Sequence, residues 1–363
     1  MELAKAQEAT IADLKAELRR RQRAAIVEAP STTTTTKKKP LLIAHAINAM
    51  PGGHGLHVDQ EITFAALAAA KERASVDVEL YTVEFADDAR APRPAAFTAA
   101  ANLTRHAFQE YDMRAKSQAI GFRKLPLLGD ILQALYARSN TGDYERVVLV
   151  YTNTDIGVLP DFYDVVATLA EKRRAFVVNR VEVPDKRSDG RAFGAADLDE
   201  LYALARRRPQ LHAGYDCFAW DRRATPLLQL AVRGLFVGYP PVGKALRNAL
   251  ACVFGAHFAE IKGQHHTFHV GDRNGGWSKF PEYEHFNRKA FRYAEQQFPA
   301  VLQRLSSSAT RSLSSRTACR LAQGTALRRE DSALLATVRA ELDQRPFERW
   351  DLPGSEWPPK PKR

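Results

Sequence analysis

From residue 40 onward the chain alternates short apolar runs with longer segments whose apolar positions recur every three to four residues. Residues 41–46 (Leu-Leu-Ile-Ala-His-Ala) begin an abrupt strand-like run, followed by a loop of Pro51-Gly52-Gly53-His54-Gly55. Residues 60–73 carry an Ala/Leu face at helical spacing. Residues 76–85 alternate as a second strand that ends at Asp87-Asp88. The spacing predicts helix around residues 97–115 and again over 127–139. Residues 146–151, Arg-Val-Val-Leu-Val-Tyr, read as a strand buried on both faces. Pro160 opens a helix that runs to Lys172, and residues 176–183 form one valine-rich strand. After Pro209 the pattern loosens into short strands at 217–220 and 235–237, a helix at 244–254 and a long helix over 282–305. Strand and helix in alternation predict an α/β fold: a mostly parallel central sheet flanked by helices.

The two ends follow different patterns. Leu3, Ile11, Leu14 and Leu18 recur at helical spacing in a charged N-terminal segment, which reads as a surface helix or a short seam for self-association. Five threonines and three lysines then fill residues 32–39, a low-complexity linker that cannot pack a core. The expected organisation is an N-terminal helix (1–30), a disordered linker (31–40), one α/β domain (41–305) and a helical or disordered C-terminal extension (306–363).

Charge and cysteine usage narrow the classes. The formal net charge is +11, and much of the excess sits in runs at residues 19–21, 37–39, 206–208 and 360–363. Such runs are solvated faces or tails, or surfaces that attract phosphates and nucleic acid. Cys217, Cys252 and Cys319 are odd in number and widely spaced, with no C-x-x-C pair, which points to a reducing, cytoplasmic setting and away from a zinc ribbon. No apolar run approaches the ~20 residues of a membrane span, and no secretory leader is visible.

Chemistry concentrates where the best strand ends. Val148-Leu149-Val150-Tyr151 runs directly into Thr152-Asn153-Thr154-Asp155-Ile156. In open α/β sheets, ligands bind beyond the carboxyl ends of strands. Asn153 and Asp155 are two apart, so an extended backbone turns both side chains the same way. Two oxygen donors there suit Mg²⁺ or Mn²⁺, which complete their shells with water and substrate phosphates. The competing reading is a turn in which Asn and Asp cap the next helix.

The run Tyr151-Thr152-Asn153-Thr154-Asp155-Ile156, followed by Pro160-x-Phe162-Tyr163, resembles the Asp-x-Asp region of GT-A-type glycosyltransferases, the nucleotide-diphospho-sugar transferase superfamily. The opening strand and helix (41–73), His212-x-Gly214-Tyr215-Asp216-Cys217-Phe218 and Thr267-Phe268-His269-Val270-Gly271-Asp272 resemble the same superfamily. The resemblance spans roughly residues 41–300. It implies a Rossmann-related domain with a nucleotide-sugar donor and an unidentified acceptor. The divalent cation would sit on Asn153, Asp155 and a late histidine, His269. It also implies donor contacts at Ala46, Asn48 and Asp87 or Asp88, and an acceptor side near Asp216. Asn153 departs from the acidic residue of the motif, and its amide adds no charge to a metal site.

Other residues widen the candidate set. Asp216, beside the apolar Cys217-Phe218-Ala219-Trp220, and Asp272 are candidate general bases should the reaction invert configuration. Each is equally readable as a structural carboxylate paired with arginine. His265, His266 and His269 read as surface and packing histidines or as metal ligands. Gly238-Tyr239-Pro240-Pro241-Val242-Gly243-Lys244-Ala245 matches G-x-x-x-x-G-K, but Ala245 stands where a P-loop needs Ser or Thr, and two prolines remove backbone donors. Lys244 could still touch a phosphate or an acceptor. Two functions compete: metal-assisted sugar transfer from a nucleotide-sugar, and non-catalytic nucleotide or phosphate binding with basic tails that contact nucleic acid or partners.

Overall fold

The structure is a computed structural model. It describes residues 39–50, 57–85, 94–103, 125–139, 142–207, 212, 214–232, 234–264, 266–271, 283–288 and 290–292. The N-terminal helix, the linker up to residue 38, the 51–56 loop, Asp87, Asp88, His265, Asp272, residues 293–305 and the C-terminal extension lie outside the described residues.

In chain order the elements are β1 (Lys39–Asn48), α1 (His57–Arg73), β2 (Asp77–Phe85), β3 (Phe97–Leu103), α2 (Leu128–Arg138), β4 (Tyr144–Thr152), β5 (Ile156–Val158), α3 (Phe162–Lys172), β6 (Ala175–Val178), β7 (Arg180–Val183), α4 (Leu198–Arg207), β8 (Cys217–Asp221), α5 (Thr225–Val232), α6 (Val242–Phe254), β9 (Phe258–Ile261) and β10 (Thr267–Val270). Among the described residues seven strands form the main sheet, in the order β3-β2-β1-β4-β8-β6-β9. Every neighbouring pair is parallel except the two that involve β8. The chain steps from β1 outward to β2 and β3, then returns to β4 on the other side of β1. The strand order therefore reverses between β1 and β4, which is where open α/β sheets place ligands. A second sheet, β5-β10-β7, continues from the carboxyl ends of β4 and β6.

Alternation along the strands loads both faces of the main sheet. Leu42, Ala44, Ala46, Leu149 and Tyr151 face α2, α5 and α6. Ile43, Ile47, Val148 and Val150 face α1 and α3, where they meet Phe64, Leu67, Phe162, Tyr163 and Val166. A buried aliphatic or Phe side chain contributes roughly 1.5–3 kcal/mol over its exposed state, so these two layers hold the sheet rigid under the site. A third cluster packs Val181, Val183, Phe268 and Val270 of the small sheet on Ile62, Ala66, Leu201 and Tyr202. Gly157 makes that packing possible: a Cβ there would lie 2.3 Å from the Phe268 ring, so only glycine lets β10 close on β5.

Several expectations need correction. Residues 97–103 form an edge strand, not helix, because Phe97 packs edge-on against Phe64 (4.8 Å between centroids) and the segment pairs with β2. Residues 176–183 are two strands of different sheets, broken at Asn179. Residues 235–237 contribute one isolated bridge, Leu127 to Phe236, and no strand. Helices α4 and α5 and strands β5 and β9 form where the sequence pattern predicted no element. The strand starts at Lys39, two residues inside the expected linker. Cys217 is a buried free thiol. Among the described residues no helix is long and apolar enough to cross a membrane.

Candidate functional site

Register builds the site. Strand β8 pairs antiparallel with β4, with Cys217 opposite Thr152, so the preceding Asp216 falls opposite Asn153. The Asn153 N–H donates to the Asp216 carbonyl (3.3 Å), and its Nδ2 donates to Asp216 Oδ1 (2.8 Å). The chain then turns, with the Ile156 N–H bonded to the Asn153 carbonyl (3.3 Å), and enters β5. Asp155 sits in this turn and caps no helix, since α3 begins at Phe162. Strand β10 pairs His269 with Ile156 on one side and with Glu182 of β7 on the other. His269 therefore stands between two carboxylates: Nε2 lies 3.4 Å from Asp155 Oδ2, and Nδ1 lies 2.8 Å from Glu182 Oε2.

Arg180 closes the circuit. It is two residues before Glu182 on β7, so both side chains leave the same face. Its Nε donates to Glu182 Oε1 (2.8 Å), and its Nη1 pairs with Asp216 Oδ2. Asn179 at the strand break donates to the carbonyls of His212 (3.1 Å) and Gly214 (3.2 Å), which fixes the loop that presents Asp216. On the β1 side, the single proton of the Tyr151 hydroxyl is shared between Asn48 Oδ1 (3.1 Å) and Asn153 Oδ1 (3.3 Å). Gln60 of α1 fastens the two strand ends together: its Oε1 accepts from the Met50 N–H (2.6 Å) and the Thr154 hydroxyl (2.9 Å).

The electrostatics are unbalanced. Burial is the largest single influence on Asp155 and Glu182 and works against their charged forms, but hydrogen bonds to His269 together with the charges of His269 and Arg180 outweigh it and hold both carboxyls below their ordinary range. Burial also opposes the imidazolium of His269, yet Asp155 and Glu182 overrule it and push the pKa up to about 9. Burial raises Asp216, with Arg180 opposing the rise. For Arg180 the nearby Asp216 and Glu182 carboxylates outweigh burial and raise the pKa further. Burial lifts Tyr151 far above an ordinary phenol, so it remains a donor. Within the array three carboxylates thus face two cations, leaving the cluster net negative even with His269 protonated. Asp155 Oδ1 is buried and has no hydrogen-bond partner among the described residues.

The structure therefore brings Asn48, Asn153, Asp155, Asp216 and His269, all candidates on sequence grounds, into one hydrogen-bonded array. Ala46 is fully buried in the core, and Lys244 is exposed on α6 with its Nζ 5.8 Å from the Phe291 ring centre, outside the array. Asp88 and Asp272 lie outside the described residues. Sequence reasoning missed Arg180, Glu182, Tyr151 and Gln60. Its one available signal was Arg180-Val181-Glu182-Val183, where charged residues alternate with valines at strand period. Among the described residues no three His, Cys, Asp or Glu side chains converge on one metal position.

No family model matches the chain, and no curated protein does. Among solved structures it is similar to residues 1–349 of TarS from S. aureus in complex with UDP-GlcNAc (TM-score 0.37, 8% identity), which covers 84% of this chain and 81% of that one. The same protein in complex with UDP gives a TM-score of 0.32 and 9% identity over 86% and 94% of the two chains. At these values the likeness says nothing about activity.

Proposed function

We propose that the array at the β4 carboxyl end is the active site of a glycosyltransferase that uses a nucleotide-sugar donor. The observation that carries this reading is the convergence of Asn153, Asp155, Asp216 and His269 beside the point where strand order reverses between β1 and β4. A diphosphate would meet a net negative cluster there, so its binding calls for added positive charge. Asp155, with an oxygen lacking a partner among the described residues, and the Nε2 of His269, once it gives up the proton it holds toward Asp155, would hold Mn²⁺ or Mg²⁺, the remaining positions falling to substrate oxygens and water. When bound, the cation offsets the negative charge on the departing nucleoside diphosphate.

The chain's own residues carry the rest. Asp216, raised by burial and oriented by Arg180 and Asn153, accepts a proton from the acceptor hydroxyl. Asn48, polarised by the Tyr151 hydroxyl, offers its amide to the donor on the β1 side. The Asn153 amide acts as a bridge to Asp216, which gives a physical reason for asparagine at this position. An Asn153→Asp change sets two carboxylates against each other where a 2.8 Å hydrogen bond now stands. It is expected to cost about 1–3 kcal/mol in urea unfolding. Mn²⁺ affinity should not improve; tighter Mn²⁺ binding at unchanged stability would show that residue 153 is a metal ligand instead.

A screen of UDP- and GDP-sugars for donor hydrolysis, with and without Mn²⁺, tests the function. Metal-dependent release of UDP or GDP from one donor is the expected result. Nucleotide binding without turnover of any donor, in a chain that keeps its fold, would favour the non-catalytic reading.

A further inference from the structure

The catalytic proposal leaves two charged residues of the array without a role: the half-buried Glu182, and the buried Arg180 beyond its contact with Asp216. Strand β7 exists as a separate strand because the chain breaks at Asn179, and this break delivers both side chains to one face, between β10 and the loop before β8. Glu182 uses each carboxylate oxygen differently: Oε2 takes His269 Nδ1 at 2.8 Å, and Oε1 takes Arg180 Nε at 2.8 Å. Arg180 in turn holds Asp216 Oδ2. One continuous chain of contacts therefore runs from Asp155 through His269, Glu182 and Arg180 to Asp216.

We propose that Glu182 is the positioning residue for His269: by accepting the Nδ1 proton it fixes the ring, so that Nε2 stays directed at Asp155, where it donates while protonated and would turn its lone pair to a cation that displaces that proton. Arg180 holds Glu182 in that orientation and ties the same carboxylate to Asp216, so cation binding and base orientation rest on one ion pair. A histidine that ligates a metal keeps its tautomer through an outer carboxylate on its second nitrogen, and loss of that partner commonly weakens metal binding 10–100-fold. The inference rests on the assignment of Asp155 and His269 to a cation.

The test is binding of Mn²⁺ alone to the full chain, followed by electron paramagnetic resonance, with pulsed measurements of nitrogen coupling from a bound imidazole. Wild type is expected to bind Mn²⁺ with nitrogen coupling, and both binding and coupling should be lost in Asp155→Ala. Glu182→Leu should raise the Mn²⁺ Kd 10–100-fold and remove the coupling. Glu182→Gln keeps one acceptor oxygen of similar shape and should raise the Kd by a smaller but measurable factor, roughly threefold to tenfold, and it serves as the folded comparison if the leucine variant fails to fold. Wild-type Kd and intact coupling in a folded Glu182→Leu or Glu182→Gln protein would overturn the positioning role while leaving the metal assignment standing. Failure of wild type to bind Mn²⁺ would overturn both.

Discussion

Replacing Arg180 by methionine is expected to lower the unfolding free energy by about 3–5 kcal/mol, among the largest losses available to a single substitution in this chain. The guanidinium is buried, and it is the cation shared by Glu182 and Asp216. Methionine fills much of the volume but leaves two carboxylates facing a site already short of positive charge. The penalty is chiefly that of uncompensated buried charge, which exceeds the net worth of the ion pair itself. At roughly 2–4 °C per kcal/mol for a domain of this size, the thermal midpoint should fall by on the order of 10 °C. A midpoint within 2–3 °C of wild type, roughly the shift of 1 kcal/mol, would mean that the carboxylates have other compensation and that the network is looser than its geometry.

The second large effect is on pH dependence and lies beneath the site. His45 sits in the middle of β1, fully enclosed, with Nδ1 2.9 Å from the Tyr163 hydroxyl and Nε2 3.0 Å from the Thr152 hydroxyl. Among the described residues its ring nitrogens meet hydroxyls and no carboxylate, and burial pushes its pKa down to about 3. The unfolded chain takes up a proton near pH 6.5, whereas the folded one does not until about pH 3. Between these values the unfolded state binds more protons, so stability falls as pH drops through this window. At pH 5 the loss from this residue is about 2 kcal/mol, from roughly 1.5 pH units at 1.36 kcal/mol each. Urea unfolding at pH 7.5 and pH 5.0 should show wild type losing about 2 kcal/mol more than His45→Gln, whose amide keeps a donor and an acceptor but does not titrate. Equal losses in the two proteins would remove His45 as the source.

How far the sequence reveals this molecule depends on whether local pattern or long-range pairing decides each element. The strand Tyr144–Thr152 and its exit through Asn153 and Asp155 are legible because a continuous valine-rich run breaks into polar residues at one point. The alternation Thr267-Phe268-His269-Val270 likewise reads as a strand, and the structure keeps it. Residues 97–103 mislead because alanines favour helix, and only pairing with β2 and the Phe97–Phe64 contact override that preference. Residues 175–183 mislead for the opposite reason: Ala-Phe-Val-Val-Asn-Arg-Val-Glu-Val has unbroken strand character, and the break at Asn179 is fixed by its bonds to the 212–214 loop, more than thirty residues away. That same break hides Arg180 and Glu182. On a surface strand their charges would be an ordinary solvated face, and they become part of the site only because β10 and the Asp216 loop close over them. Candidates anchored to a strand end thus emerge from sequence alone, whereas the residues that hold them in place emerge only from the fold.

The central claim is that Asp155 anchors a cation on which nucleotide-sugar binding depends. Calorimetric titration of UDP- and GDP-sugars into wild type and Asp155→Ala, each with and without Mn²⁺, addresses it most directly. One donor is expected to bind wild type only when Mn²⁺ is present, and Asp155→Ala, melting at the wild-type temperature, is expected not to bind it under either condition. Equal donor affinity in the two proteins, or binding by wild type that ignores Mn²⁺, would contradict the claim.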